Sequence, residues 1–168
     1  MPDYGVPTDM EGALPWTWAE ERLVANKNYW VVTVSAAGRP HAMPVWGAWL
    51  PETDRFWFSC APTARKARNI GENAQCVVTV DDTVECVSVE GRARVVDPVG
   101  EADAVDRAVA AYITKYWDDP SVHPEMEAFV RSNLIIEVVP DRAFGIIERD
   151  DEFPGFVGLH ALAHGSLY

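Results

Sequence analysis

From Tyr29 to Ser35 the chain reads YWVVTVS, a β-branched and aromatic run that stops at Ala37-Gly38-Arg39-Pro40 and resumes as HAMPVWGAWL. Two such runs about a turn predict a β-hairpin. Pro44 and Gly47 interrupt the second run, one lacking an N–H and the other a side chain, which predicts a bulge or a close approach to the backbone by another group. PETD makes the next turn, and RFWFS is a third strand. CVVTVDD and ECVSVEGRARVV predict a second hairpin about Asp82-Thr83. In its second arm Val87, Val89, Ala93 and Val95 share one face, and Ser88, Glu90, Arg92 and Arg94 the other. LIIEVVP and RAFGIIE read as the last two strands.

Elsewhere the apolar spacing is helical. Thr17 and Glu20 stand at capping-box spacing, so a helix is expected from Trp18 to Asn26. Thr63 is the expected N-cap of a helix from Ala64 to Ile70, with Gly71 just past its end. Residues 100–116 carry an apolar stripe of Ala102, Val105, Val109, Tyr112 and Ile113, and a further helix covers residues 124–132. Five or six antiparallel strands with helices inserted define an α+β class that is mainly antiparallel β: a closed or half-closed barrel with peripheral helices. Strands and helices do not alternate as a parallel sheet requires.

The chain has 168 residues, enough for one domain. It divides into an N-terminal arm (1–15), a barrel domain (16–149) and a C-terminal tail (150–168). With 26 carboxylates against 14 bases the net charge is −12, which argues against a nucleic-acid binder and against an anionic membrane surface. No apolar run approaches a membrane span, and the first residues lack the pattern of a signal peptide. Cys60, Cys76 and Cys86 form no C-x-x-C pair, and free thiols in a reducing cytoplasm are expected.

Charge is segregated. Residues 22–68 hold seven bases (Arg22, Lys27, Arg39, Arg55, Arg65, Lys66, Arg68) and two acids (Glu52, Asp54), a net +5, which leaves −17 elsewhere. An acidic protein with one basic third is a candidate for holding an anionic small molecule. Dinucleotide, P-loop, nucleophile-elbow and zinc-protease motifs are absent from the sequence.

SCAPTARKARN, residues 59–69, runs from a strand end into a basic helix start, where unpaired amides and the helix dipole suit a phosphate. Arg65 and Arg68 share a face, Lys66 adds charge, and Ser59 and Thr63 offer hydroxyls. The bland alternative is a solvated basic helix that caps itself and pairs with nearby acids. PVWGAW, residues 44–49, offers backbone groups for the rim of a planar heteroaromatic ring, with Trp46 and Trp49 to cover its faces. Plain core packing is the alternative for either tryptophan. His160 and His164 could ligate a metal if the tail were helical, but no third ligand stands at a recognised spacing, and no metal site is expected. His41 reads as a surface histidine. Tyr112, Tyr116 and Trp117 read as a helix packing face able to wall a cavity, and the Asp pairs read as solvated turns.

The order GRPHAMPVWGAW, FWFS, ARKARN, VSVEGRARVV resembles the pyridoxamine 5′-phosphate oxidase-like superfamily of FMN-binding split β-barrels, and within it the flavin/deazaflavin-dependent oxidoreductase branch. The resemblance implies a homodimer with two cofactor sites at the interface, binding FMN or 8-hydroxy-5-deazaflavin (coenzyme F-420). It implies that Pro44, Val45, Trp46 and Gly47 line the ring, that Phe58 and Ser59 lie at the strand end approaching the cofactor, and that Arg65, Lys66 and Asn69 hold the phosphate. Three features depart from the vitamin B6 oxidases: Cys86 stands where they carry a flavin-touching Gln, the tail FVGLHALAHGSLY lacks their Arg-x-His substrate motif, and the spacing from Ser59 to Arg65 is one residue longer. The implied activity is hydride transfer between the cofactor and a small conjugated substrate. The alternatives are a non-catalytic cofactor or haem carrier and an FMN-dependent oxidase. No catalytic residue is named from the sequence.

Overall fold

The structure, a computed structural model, describes residues 14–148 and the backbone of 157–160. The N-terminal arm before Leu14 lies outside the described residues, as does His164. Seven strands form one antiparallel sheet: β1 (Asn28–Val34), β2 (Pro40–Leu50), β3 (Arg55–Cys60), β4 (Gln75–Val80), β5 (Glu85–Val95), β6 (Leu134–Ile147) and β7 (Val157–His160). Neighbours run β3-β2-β1-β4-β5-β6, and β6 pairs back onto β3, which closes a six-stranded barrel. Closure leaves few unpaired backbone groups, the usual solution to the edge-strand problem. Both hairpins form as expected.

LIIEVVP and RAFGIIE are one continuous strand and not two. β6 lies along β5 from Ile136 to Ile147, while its other edge meets β3 through residues 134–138 and β7 through residues 143–146. The change of partner falls at Pro140, opposite a register shift between Glu90 and Gly91. A Cβ on Gly91 would lie 2.3 Å from the Val139 carbonyl oxygen, so only glycine allows the strands to cross so closely there. β7 was not anticipated, and His160 as its last residue is in a strand and not in a helix.

Side chains alternate between two apolar layers. Tyr29, Val31, Val45, Phe56, Phe58, Val78, Val87, Val89, Ile136 and Val138 fill the barrel, joined by Ala19 and Leu23 of helix α1 (Trp16–Ala25). On the outside, Ala48, Leu50, Trp57 and Ile135 pack against α3 (Ala102–Tyr116) and Val130 of α4 (His123–Arg131). Helix α2 (Arg65–Glu72) connects β3 to β4. Two expected caps are unused. α1 starts at Trp16 behind Pro15, so Thr17 lies inside it, and α2 is preceded by Ala64, with no side-chain cap on either helix. Gly71 falls inside α2 and not beyond it. Val95 is exposed, since the alternation of β5 ends at Ala93.

Candidate functional site

The Pro44–Gly47 segment lies in regular strand. β2 stays in unbroken register with β1 from Pro40 to Trp46, so the expected bulge is absent. β3 pairs with β2 only from Gly47 onward, leaving the other edge of the first half of β2 without a described strand. Backbone polar groups alternate in direction along a strand. Those of Gly47 point to the β1 side, so the nitrogen of Pro44, three residues back, faces the open edge and removes no ladder bond. Gly47 is the place of close approach: a Cβ there would lie 2.2 Å from the Phe56 ring and 2.8 Å from the Trp57 carbonyl oxygen.

The two tryptophans of PVWGAW face opposite ways, because an odd offset in a strand changes the side. Trp49 is buried in the barrel, edge-on to Trp16 at 5.6 Å between ring centroids. Trp46 is 49% exposed on the outer face. The two therefore cannot sandwich one ring. Instead Trp46 stacks on Tyr116 at 4.9 Å and 10°, with Trp117 edge-on at 5.9 Å. Trp30, also exposed, and Pro44 are cross-strand partners on the same outer face. Val45 and Phe58 are buried core side chains, and each is paired within the sheet, Val45 with Tyr29 and Phe58 with Gly47 and Ile136.

Tyr116 does more than pack. Its hydroxyl accepts from the Gly47 N–H at 2.8 Å and faces the carbonyls of Gly47 (2.9 Å) and Lys27. The β1–β2 ladder ends at Asn28 and Trp46, so the phenol occupies the next rung. Burial pushes the Tyr116 phenol up, which keeps it neutral and able to donate. One residue earlier, Lys115 donates to the Tyr29 hydroxyl at 2.6 Å, with no ion pair among the described residues. Burial, and then the charge of Lys27, hold its ammonium down at about 8. The sequence shows these side chains only as an aromatic stripe at helical spacing; that the stripe meets Gly47 follows from how α3 lies across β2.

The basic segment opens differently. Thr63 is exposed and does not cap, and among the described residues no side chain caps the first turn of α2. Arg65 and Arg68 are exposed and Lys66 is half-buried. Among the described residues none of these three, nor Lys27 or Arg39, makes an ion pair. The bland alternative of a self-capped, acid-paired helix is therefore not what the molecule builds. Asn69 is buried and donates to Thr33 Oγ1 at 2.9 Å, which ties α2 to β1. Lys66 lies near Cys60, whose thiol burial pushes up against the opposing lysine charge. Ser59 turns outward against Tyr112, where burial pushes the phenol up to about 12 despite a hydrogen bond with Ser59. Among the described residues no His/Cys/Asp/Glu cluster could hold a metal, and no helix is long and apolar enough to cross a membrane.

Residues 19–139 match the sequence model of the pyridoxamine 5′-phosphate oxidase family. No curated protein matches the chain. Among solved structures, a conserved hypothetical protein from Mycobacterium tuberculosis is similar with a TM-score of 0.71 and 17% identity, over 86% of this chain and 91% of that one. The haem storage protein HutZ of Vibrio cholerae aligns with a TM-score of 0.60 and 16% identity, covering 80% of this chain and 95% of its own. A FAD-binding protein from Mesorhizobium loti aligns with a TM-score of 0.57 and 17% identity, over 77% and 92% of the two chains. At these identities the likeness is one of fold.

Proposed function

The chain belongs to the pyridoxamine 5′-phosphate oxidase family, and on that premise we propose that it is an oxidoreductase using FMN or the 8-hydroxy-5-deazaflavin coenzyme F-420. The observation that carries the reading is the uncapped first turn of α2 beside Arg65, Lys66 and Arg68, none of them acid-paired among the described residues. An anion there meets amides that need acceptors and charges that need partners, at a helix end whose dipole favours it. Arg65 and Lys66 would hold the phosphate. Asn69 would act by fixing α2 against β1 through Thr33, since its side chain is buried. The Pro44–Gly47 segment would line the ring, with the backbone groups of Pro44 and Trp46 on the open edge and those of Val45 and Gly47 turned to the β1 side, and with Phe58 and Ser59 at the neighbouring strand end. Bound, either cofactor supplies hydride chemistry towards a small conjugated substrate; the chain's part is to bind, orient and neutralise charge.

The proposed assembly is a homodimer. Its support is the bare first half of β2, where one strand edge is open and exposed Trp46 shares the outer face with exposed Trp30 of β1. A second copy would cover that apolar face and complete the ring site. Titration of the purified protein with FMN and with coenzyme F-420 tests the reading: a perturbed absorbance spectrum for one of them is expected, and no perturbation by either refutes it. A second reading, a haem carrier, draws on the HutZ likeness and on His41, half-buried on β2 with no hydrogen-bond partner among the described residues. Haem titration giving a Soret shift that His41→Ala abolishes, without flavin or deazaflavin binding, selects it.

A further inference from the structure

We infer that Tyr116 is the positioning residue of the ring site, through which the C-terminus of α3 sets the placement of the Pro44–Gly47 backbone. The inference rests on the proposed ring site. Three observations meet at this one side chain. Its hydroxyl stands where the β1–β2 ladder stops, accepting from the Gly47 N–H at 2.8 Å and facing carbonyls of Gly47 and Lys27. Its ring carries Trp46 in a near-parallel stack at 4.9 Å. On the other side of the strand, the Phe56 ring lies so close to Gly47 that no Cβ fits.

Gly47 is thus gripped from two directions, by Phe56 at its Cα and by Tyr116 at its polar groups. A phenol has one proton and can accept from the Gly47 amide while donating to one carbonyl. It replaces a backbone rung with a side chain from another element. The segment that would line the ring is therefore held by α3 and not by β1 alone, and Trp46 takes its orientation from the same residue. Tyr116 contacts no reacting atom and acts through Gly47 and Trp46. The phosphate end of the proposed site has separate supports, since Lys66 and Arg65 stand on α2.

Tyr116→Phe keeps the stacked ring and removes only the hydroxyl, so the barrel should fold. The probes are FMN and riboflavin, which share the ring and differ in the phosphate. For Tyr116→Phe both should bind about tenfold more weakly, by the same factor, with an altered bound-flavin absorbance. Lys66→Ala should weaken FMN while leaving riboflavin unchanged. In ligand-free protein, the Gly47 amide should exchange with solvent at least tenfold faster in Tyr116→Phe than in wild type. Wild-type affinities and spectrum in Tyr116→Phe, or unchanged Gly47 exchange, overturn the inference and leave the cofactor reading standing. Failure of wild-type protein to bind either flavin or coenzyme F-420 overturns both.

Discussion

The two sides of the barrel treat their charges in opposite ways. Along β5 and β6 the arginines are matched: Arg92 meets Asp141 at 3.0 Å, Arg142 meets Glu90 at 2.6 Å, and Arg94 reaches both Glu137 and Glu101 at 2.6 Å. On the side formed by β1, the first half of β2 and α2, Lys27, Arg39, Arg65, Lys66 and Arg68 stand without an acid partner among the described residues. In a chain of net charge −12, carboxylates are not scarce. Bare bases in an acidic protein therefore mark where charge is kept available, whereas matched ones mark where it stitches strands together.

The largest test of that contrast is Glu137→Ala. Glu137 is buried and faces both Arg94 and Arg55, which are partly exposed, so its loss should destabilise the fold by about 2 kcal/mol in urea unfolding, chiefly through the lost charged hydrogen bond from Arg94. A cost below about 0.5 kcal/mol, the level of an ordinary surface change, would break the distinction.

Next comes the half-buried ammonium of Lys115 on the bare side. Its folded value of about 8 lies below the unfolded value of about 10.4, so the folded state binds fewer protons between them. Stability from this group therefore rises with pH across that window. Cys60 and Cys76, whose thiols burial pushes up, act in the opposite sense above about pH 8.5. The informative quantity is the difference between variant and wild type: the advantage of Lys115→Met should shrink by about 1–2 kcal/mol from pH 7.5 to 9.5. A pH-independent difference would mean that Lys115 is not desolvated in solution.

Third, Lys66→Ala should change stability by less than about 0.5 kcal/mol but weaken FMN or coenzyme F-420 binding tenfold or more, with a shallower salt dependence. Equal losses in stability and binding would place Lys66 among the stitching charges. The smallest effect is expected at Arg142→Ala, an exposed pair worth under about 0.5 kcal/mol by thermal unfolding, with no change in cofactor affinity.

Local pattern carried the two hairpins, the strand of residues 55–60, helices α3 and α4, and the basic start of α2, because alternation and helical spacing are short-range signals. It misplaced what depends on partners. Two strands were expected where β6 runs through, since Pro140 is tolerated at the point where β6 changes partner opposite Gly91. Capping spacing at Thr17 and Thr63 went unused, because each helix starts where packing sets it. Trp46 and Trp49 looked like a pair in the sequence and lie on opposite faces of one strand.

By itself the sequence determined the antiparallel class, the acidic chain with one basic third, and the family motifs around PVWG and ARKARN. Each is a property of neighbours along the chain. Only the tertiary structure decided that five of those bases stay unpaired among the described residues, that Phe56 makes Gly47 obligatory, and that Tyr116, 69 residues away, completes the β1–β2 ladder. Those contacts depend on barrel closure and on how α3 crosses β2. Such long-range geometry leaves no periodic trace in the chain.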